Sequence, residues 1–157
     1  MKDIHITYKK INKKAKDIEK SSGDLGFDLS VVGDDTFYTY NYQGKPDVKK
    51  YELKPNERKL FHTGLKFSMT PGYGFIIKDR SGMAAKYGIH VLAGVVDSSY
   101  TGEVLICLLN TSDVTYCINE GDRIAQGVII PEYRVLFEEG ELEQTERGER
   151  GFGSSGK

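Results

Sequence analysis

AGVVDSSYTGEVLICLLN, residues 93–110, sets two apolar runs on either side of the break Asp97-Ser98-Ser99-Tyr100-Thr101-Gly102. Aliphatic runs bounded by Asp, Ser and Gly read as two strands joined by a hairpin-like turn in a deep location. The same pattern extends outward in both directions. Residues 59–69, 73–78 and 123–130 are further β-rich runs, and residues 4–8 and 37–42 alternate apolar with polar. Gly, Pro, Asn or Asp bounds each run. Only residues 81–87 read as helix, with Met83, Ala84, Ala85 and Lys86 as good formers, and residues 17–20 hold one helical turn at most. Short strands with turn signals about every eight to twelve residues predict an all-β sandwich or barrel with one short helix.

The chain of 157 residues is the size of one domain. A net charge of −1 excludes bulk attraction to nucleic acid or to an acidic membrane. That balance conceals a lysine-rich segment, 1–20, and a glutamate-rich one, 132–149, both read as solvated faces. Cys107 and Cys117 sit in apolar stretches without CxxC spacing, which predicts reduced core thiols. His5, His62 and His90 lie in unrelated contexts, so neither a zinc site nor a Cys–His nucleophile pair is indicated. Apolar runs stay short of about 18 residues and no signal peptide is evident, which leads to the expectation of a cytoplasmic protein. One β domain, 1–141, is expected, followed by a glycine-rich, flexible arm, 142–157.

Four stretches carry polar groups suited to chemistry. In KDRSGMAAKYG, 78–88, a strand ends just before Arg80-Ser81-Gly82 and the helical turn. Backbone N–H groups at a helix start suit an anion, and Arg80 and Ser81 add donors, although Ser81 reads equally as an N-cap. Asp97 follows Gly94-Val95-Val96, an apolar approach that would keep its carboxylate partly desolvated. It is therefore either a general base for water or an Asp capping its own turn through the Ser98 and Ser99 N–H groups. Gln126, within the strand after Gly121-Asp122, must find hydrogen-bond partners if it is buried. Asp28, flanked by Phe27 and Leu29, reads as a metal-linked or structural carboxylate.

Taken in order, Gly-Phe-Asp-Leu, Arg-Ser-Gly, Gly-Val-Val-Asp-x-x-Tyr-x-Gly-Glu, Gly-Asp-Arg-Ile-Ala-Gln and Arg-Gly-x-x-Gly-Phe-Gly-Ser-Ser-Gly resemble the five motifs of the trimeric deoxyuridine triphosphatases (dUTPases). The resemblance runs from about residue 22 to the end. It implies a jelly-roll-like β domain, a homotrimer with shared active sites, and hydrolysis of dUTP to dUMP and pyrophosphate with Mg²⁺ on the triphosphate. It implies in turn a role in keeping uracil out of DNA and in supplying dUMP for thymidylate synthesis. By resemblance Asp97 orients and deprotonates the attacking water, and Asp28 holds the water shell of the metal as an outer-sphere partner. Arg80, Ser81, Gly82 and Gln126 match phosphate contacts, while main-chain groups of Gly94, Val95, Val96 and Asp97 match those that read uracil. Tyr100 matches the residue that packs on the deoxyribose and excludes a 2′-hydroxyl. In the tail, Arg147 matches a phosphate contact, Phe152 the ring stacked on uracil, and Gly153 and Ser154 the stretch that wraps the phosphates.

Departures from the family pattern are visible. Asp79 stands where many relatives have proline and places a carboxylate near the phosphate site, with Lys78 or Lys86 as its expected partner. Leu25 and Leu92 stand where smaller residues are frequent. Residues 33–53 read as an extended hairpin insertion rich in tyrosine, and a protein partner through it is one alternative. A dCTP deaminase of the same fold is the other, although that family lacks the Asp-x-x-Tyr and terminal Gly-Phe-Gly-Ser patterns together.

Overall fold

The computed structural model describes residues 3–40 and 47–151. Its longest strand shows why the sequence folds as it does. In β5 (Arg58–Ser68) the alternate residues Phe61, Thr63, Leu65 and Phe67 are all buried, while Leu60, His62 and Lys66 are not. A bulge between His62 and Lys66 carries Gly64 at φ 68°, a conformation available to glycine at little cost. The partner β9 (Glu103–Asn110) buries every second residue, from Val104 to Asn110. Buried Asn110 is satisfied, since its amide donates to the carbonyls of Leu53 and Val114 at 2.9 and 2.8 Å.

Three antiparallel sheets share this core. One has the order β1-β5-β9-β7, with β1 at Thr7–Lys10 and β7 at Ile89–Leu92. A second has the order β2-β11-β6-β8, formed by Gly26–Ser30, Arg123–Pro131, Tyr73–Lys78 and Val95–Val96. The third, β10-β4-β3, comprises Tyr116–Asn119, Val48–Leu53 and Tyr38–Tyr40. Phe27, Phe67 and Phe75 join the first two sheets through ring contacts at 5.2–6.0 Å, edge-to-face where Phe75 meets Phe27 and Phe67 and tilted between Phe27 and Phe67. Phe61 meets Phe37 and Tyr51 edge-on at 6.2 and 5.7 Å and ties the third sheet to the first. Each fully buried phenylalanine contributes about 2–3 kcal/mol of apolar burial. The helix α1 (Ser81–Tyr87) ends at Gly88 in the left-handed region, whose N–H caps the carbonyls of Ala84 and Met83.

Several expectations change. The two apolar runs of 93–110 do not pair with each other: β8 joins β6, whereas β9 joins β5 and β7. The chain switches sheets at Ala93-Gly94, where φ is 62° and 114°, and crosses again between Asp97 and Gly102. The alternation at 4–8 slides forward to Thr7–Lys10, because Thr7 already pairs with Ser68 at the end of β5. Residues 17–20 form no helix, and Asp17 instead accepts from Tyr8 and Lys10. Cys107 is half-buried, but Cys117 is exposed on the outer sheet rather than in the core. Within the hairpin expected at 33–53, residues 41–46 lie outside the described residues. After Pro131 no helix or strand forms among the described residues. Among the described residues no helix is long and apolar enough to cross a membrane.

Candidate functional site

Cross-strand register builds the first half of the site. Gln126 on β11 lies opposite Asp28 on β2 and Lys78 on β6, so the three residues form one row across the sheet. Beyond Lys78 the chain turns through Asp79 and Arg80 into α1. Arg80 is the N-cap and makes no side-chain cap bond, so Ser81 opens the helix rather than capping it.

These residues line one cavity of about 660 Å³, which contains Asp28, Arg80, Ser81, Gly82 and Gln126 together with Arg123. The Asp28 carboxylate is held between two guanidiniums, accepting from Arg80 Nε at 3.1 Å and from Arg123 Nη1 at 2.9 Å. Arg80 Nη1 also donates to the Arg123 carbonyl at 3.2 Å. The residual charge of this trio is positive, and the guanidinium donors suit phosphate oxygens. Gln126 Nε2 donates to the Asp79 carbonyl at 2.8 Å, while a Cβ on Gly26 would come within 2.7 Å of Gln126 Oε1. Glycine at 26 therefore lets the amide lie flat across β2. A Cβ at Gly82, by contrast, would meet nothing within 4 Å, so the protomer itself has no steric need for glycine there. The cavity also takes in Glu19, Asp24 and exposed Leu25.

The second half lies elsewhere. Val95, Val96, Asp97, Ser98 and Ser99 line a separate cavity of about 300 Å³ with Gly74 and residues 130–132, and the two cavities share no lining residue. Gly74 and Arg80 are six positions apart along largely extended chain, on the order of 20 Å. Gly94, which precedes this cavity, accepts from Ile77 N–H at 2.7 Å, and its missing side chain lets the two backbones approach. Asp97 is exposed in the protomer, and among the described residues its carboxylate has no hydrogen-bond or ion-pair partner. This corrects two expectations. Val95 is 73% exposed, so the apolar approach does not desolvate the carboxylate, and the turn is closed by Tyr100 N–H on the Asp97 carbonyl at 3.1 Å rather than by an Asp cap. Tyr100 is 44% exposed, with its hydroxyl on the Glu103 carbonyl at 2.8 Å and its ring over Gly102, where any Cβ would overlap it.

Arg147 lies apart from both cavities. It sits in an exposed local turn, exchanging side-chain bonds with the carbonyl of Arg150, which returns the contact, each at 3.0 Å. Phe152, Gly153 and Ser154 lie outside the described residues. Sequence reading also missed Arg123, which completes the grip on Asp28; its signal was an arginine opening a strand directly after the Gly121-Asp122 turn. Among the described residues no three His, Cys, Asp or Glu side chains converge as a metal cage.

A family model described as dUTPase matches residues 47–156. Deoxyuridine 5'-triphosphate nucleotidohydrolase of Clostridium novyi (strain NT) is 40% identical over 157 residues, covering 98% of this chain and 99% of its own. The protein of the same name from Wolbachia sp. subsp. Brugia malayi is 49% identical over 110 residues, covering 67% of this chain and 70% of its own. Among solved structures, the dUTPase of Staphylococcus bacteriophage 80alpha with dUPNHPP superposes with a TM-score of 0.78 at 25% identity, covering 97% of this chain and 98% of that one.

Proposed function

The chain belongs to the dUTPase family, and from that premise we propose that it hydrolyses dUTP to dUMP and pyrophosphate at a site completed only between protomers. The observation that carries this reading is the separation of the two cavities. The guanidinium-rich one suits a triphosphate and the hairpin one a nucleoside with its attacking water, and one dUTP must touch both. A ring of three copies in head-to-tail contact brings the Asp97 cavity of one protomer to the Arg80 cavity of its neighbour.

Within that frame each residue has a task. Asp97, unengaged in the protomer, orients a water in line with the α-phosphorus and accepts its proton. Arg80, with the hydroxyl of Ser81 and the open backbone at Gly82, neutralises charge on the phosphate oxygens. Gln126, fixed by Gly26 and the Asp79 carbonyl, places its amide against the same phosphates. The main chain of 94–97 reads uracil, because a cradle held by backbone pairing admits a flat amide edge and leaves no room for the methyl of thymine. Tyr100, held by Gly102 and the Glu103 carbonyl, forms the wall against a 2′-hydroxyl. Mg²⁺, when bound with the triphosphate, supplies charge neutralisation on its oxygens. Both oxygens of Asp28 are engaged by arginines, which fits a contact through the metal's water better than a direct ligand. Arg147 and the residues after it close the site once substrate is in place, and the product dUMP serves thymidylate synthesis.

Pyrophosphate release from dUTP, dCTP, dTTP and UTP, with and without Mg²⁺, tests the assignment. Release from dUTP alone supports it, whereas ammonia release from dCTP would establish a deaminase instead. A second reading accompanies the first without replacing it. Tyr38, Tyr40 and Val48 lie on one face of the outer hairpin at 42–46% exposure, a surface for a protein partner. Deleting residues 39–49 then abolishes that binding and leaves hydrolysis intact.

A further inference from the structure

Asp79 is not a free carboxylate beside the phosphates. Its expected partners, Lys78 and Lys86, make no hydrogen bond or ion pair with it; Oδ2 lies 2.6 Å from His90 Nδ1, and Oδ1 accepts from Val91 N–H at 2.6 Å. Both partners belong to β7, the edge strand of its sheet, whose outward N–H finds no ladder acceptor. Asp79 itself follows β6, in the other sheet, and its carbonyl takes the Gln126 amide of β11 at 2.8 Å. One residue therefore joins the two sheets at the point where the chain enters Arg80-Ser81-Gly82.

We propose that the Asp79–His90 clamp is a positioning element for the phosphate half of the site, setting the backbone from which Arg80 projects and the carbonyl on which Gln126 is hung. The inference rests on the phosphate-binding reading given above. Geometry gives it its force. Arg80 has φ −83° and ψ 126°, an extended conformation directly after Asp79, so rotation of residue 79 swings the guanidinium away from Asp28. The same rotation withdraws the acceptor of Gln126. With the carboxylate removed, β7 loses its outward acceptor, and the turn between β6 and α1 loses its tie to that strand, keeping only the Gln126 amide on the Asp79 carbonyl and the Arg80 bonds to Asp28 and the Arg123 carbonyl. Asp79 does not line the cavity and touches no substrate; it acts through Arg80 and Gln126.

The test compares D79A, D79N and H90A with the unaltered protein, by dUTP kinetics, by calorimetric titration with inorganic pyrophosphate, and by thermal melting. For D79A, KM and the pyrophosphate Kd are expected to rise about tenfold, with kcat within about threefold. D79N retains an oxygen for Val91 N–H and an amide for His90, so it should recover both constants to within about threefold. H90A should fall between the two. A folded D79A with unchanged KM and Kd overturns the proposal, and so does D79N as impaired as D79A. A lowered melting temperature with unchanged constants would assign the clamp to stability alone and likewise overturns it. If D79A does not fold, H90A decides by the same constants, since His90 is exposed. Should the unaltered protein bind pyrophosphate, weakened in D79A, yet cleave no dUTP, the functional reading fails while the clamp stands. Cleavage of dUTP without any effect of D79A removes the clamp alone.

Discussion

Replacing Gly94 by alanine perturbs the one position where backbone conformation, sheet switching and the proposed uracil cradle coincide. Gly94 has φ 114°, well beyond the left-handed helical well, and alanine held there costs about 1–3 kcal/mol. A Cβ would stand 2.8 Å from the Ile77 carbonyl oxygen and 3.1 Å from Ile77 Cβ, whereas ordinary contact begins at 3.4 Å. The cradle must therefore move outward by about 0.6 Å, the difference between 3.4 and 2.8 Å. Outward movement relieves the clash only at the expense of this short ladder, because β8 holds to β6 by two residue pairs and the Ile77–Gly94 bond at 2.7 Å is the next rung. Combining strain with a weakened rung gives a loss of about 2–4 kcal/mol in stability. Urea unfolding measures that loss from the midpoint at constant m-value. Steady-state kinetics should show KM for dUTP raised by at least about tenfold, worth about 1.4 kcal/mol, together with weaker rejection of dTTP as the cradle opens. A variant within about 0.5 kcal/mol of the unaltered protein, with unchanged KM and selectivity, would refute the reasoning.

Other expectations follow from separate features. The Tyr51 hydroxyl is pushed up to about 12 by burial and by its bond to Glu57, from 10.0. Its contribution is thus full below pH 10 and is lost as pH rises towards 12, so the stability difference between the unaltered protein and Y51F should shrink across that window in urea titrations. The same hydroxyl, with the Lys54 N–H, outweighs burial and lowers Glu57, so a second loss appears in acid, as pH falls through the carboxylate range, and is smaller in Y51F. Phe61, fully buried between Phe37 and Tyr51, should cost about 3–5 kcal/mol when replaced by alanine, read from the same unfolding curves. Deleting residues 147–157 should leave the melting temperature within about 2 °C, since Arg147 bonds only locally, while turnover falls by about a hundredfold or more; preserved turnover would remove the tail from the site.

How much of this was legible in the sequence depends on the kind of constraint. Residues 73–78 and 81–87 match β6 and α1, because apolar alternation ends there at Lys78 and helix formers begin after Ser81. Register, by contrast, is a long-range property. The run before Asp97 looked paired with the run after it, but each found its ladder in a different sheet, since burial of Val96 against β6 and of Val104, Ile106 and Leu108 in the core outweighs local turn geometry. Strand β7 escaped because Ile89-His90-Val91-Leu92 is too short to show a period. Strand β4 was legible only as one arm of the hairpin expected at 33–53, its exact span hidden because Lys49, Lys50 and Glu52 interrupt its apolar residues; Lys50 and Glu52 both meet Tyr38 on the paired strand. Of the residues singled out in the sequence, Asp28, Arg80, Ser81, Gly82 and Gln126 are brought together along one cavity. The environment of Asp97 was not, because adjacent apolar residues cannot say whether they point beside a carboxylate or away from it. Asp79 was misread for the same reason, the partners expected from the sequence being Lys78 and Lys86 while its partner in space is His90.

Subunit complementation tests the division of the site between protomers most directly. D97N disables the nucleoside half and R80A the phosphate half, so each variant alone should be inactive towards dUTP. Unfolded together in equal amounts and refolded, they should assemble at random into the proposed trimers. A site is competent when its hairpin comes from an R80A copy and its arginine from a D97N copy, each with probability of about one half, so the mixture should recover roughly a quarter of full turnover. Mixed trimers verified by mass that remain inactive would contradict the account, since both halves would then have to come from one chain.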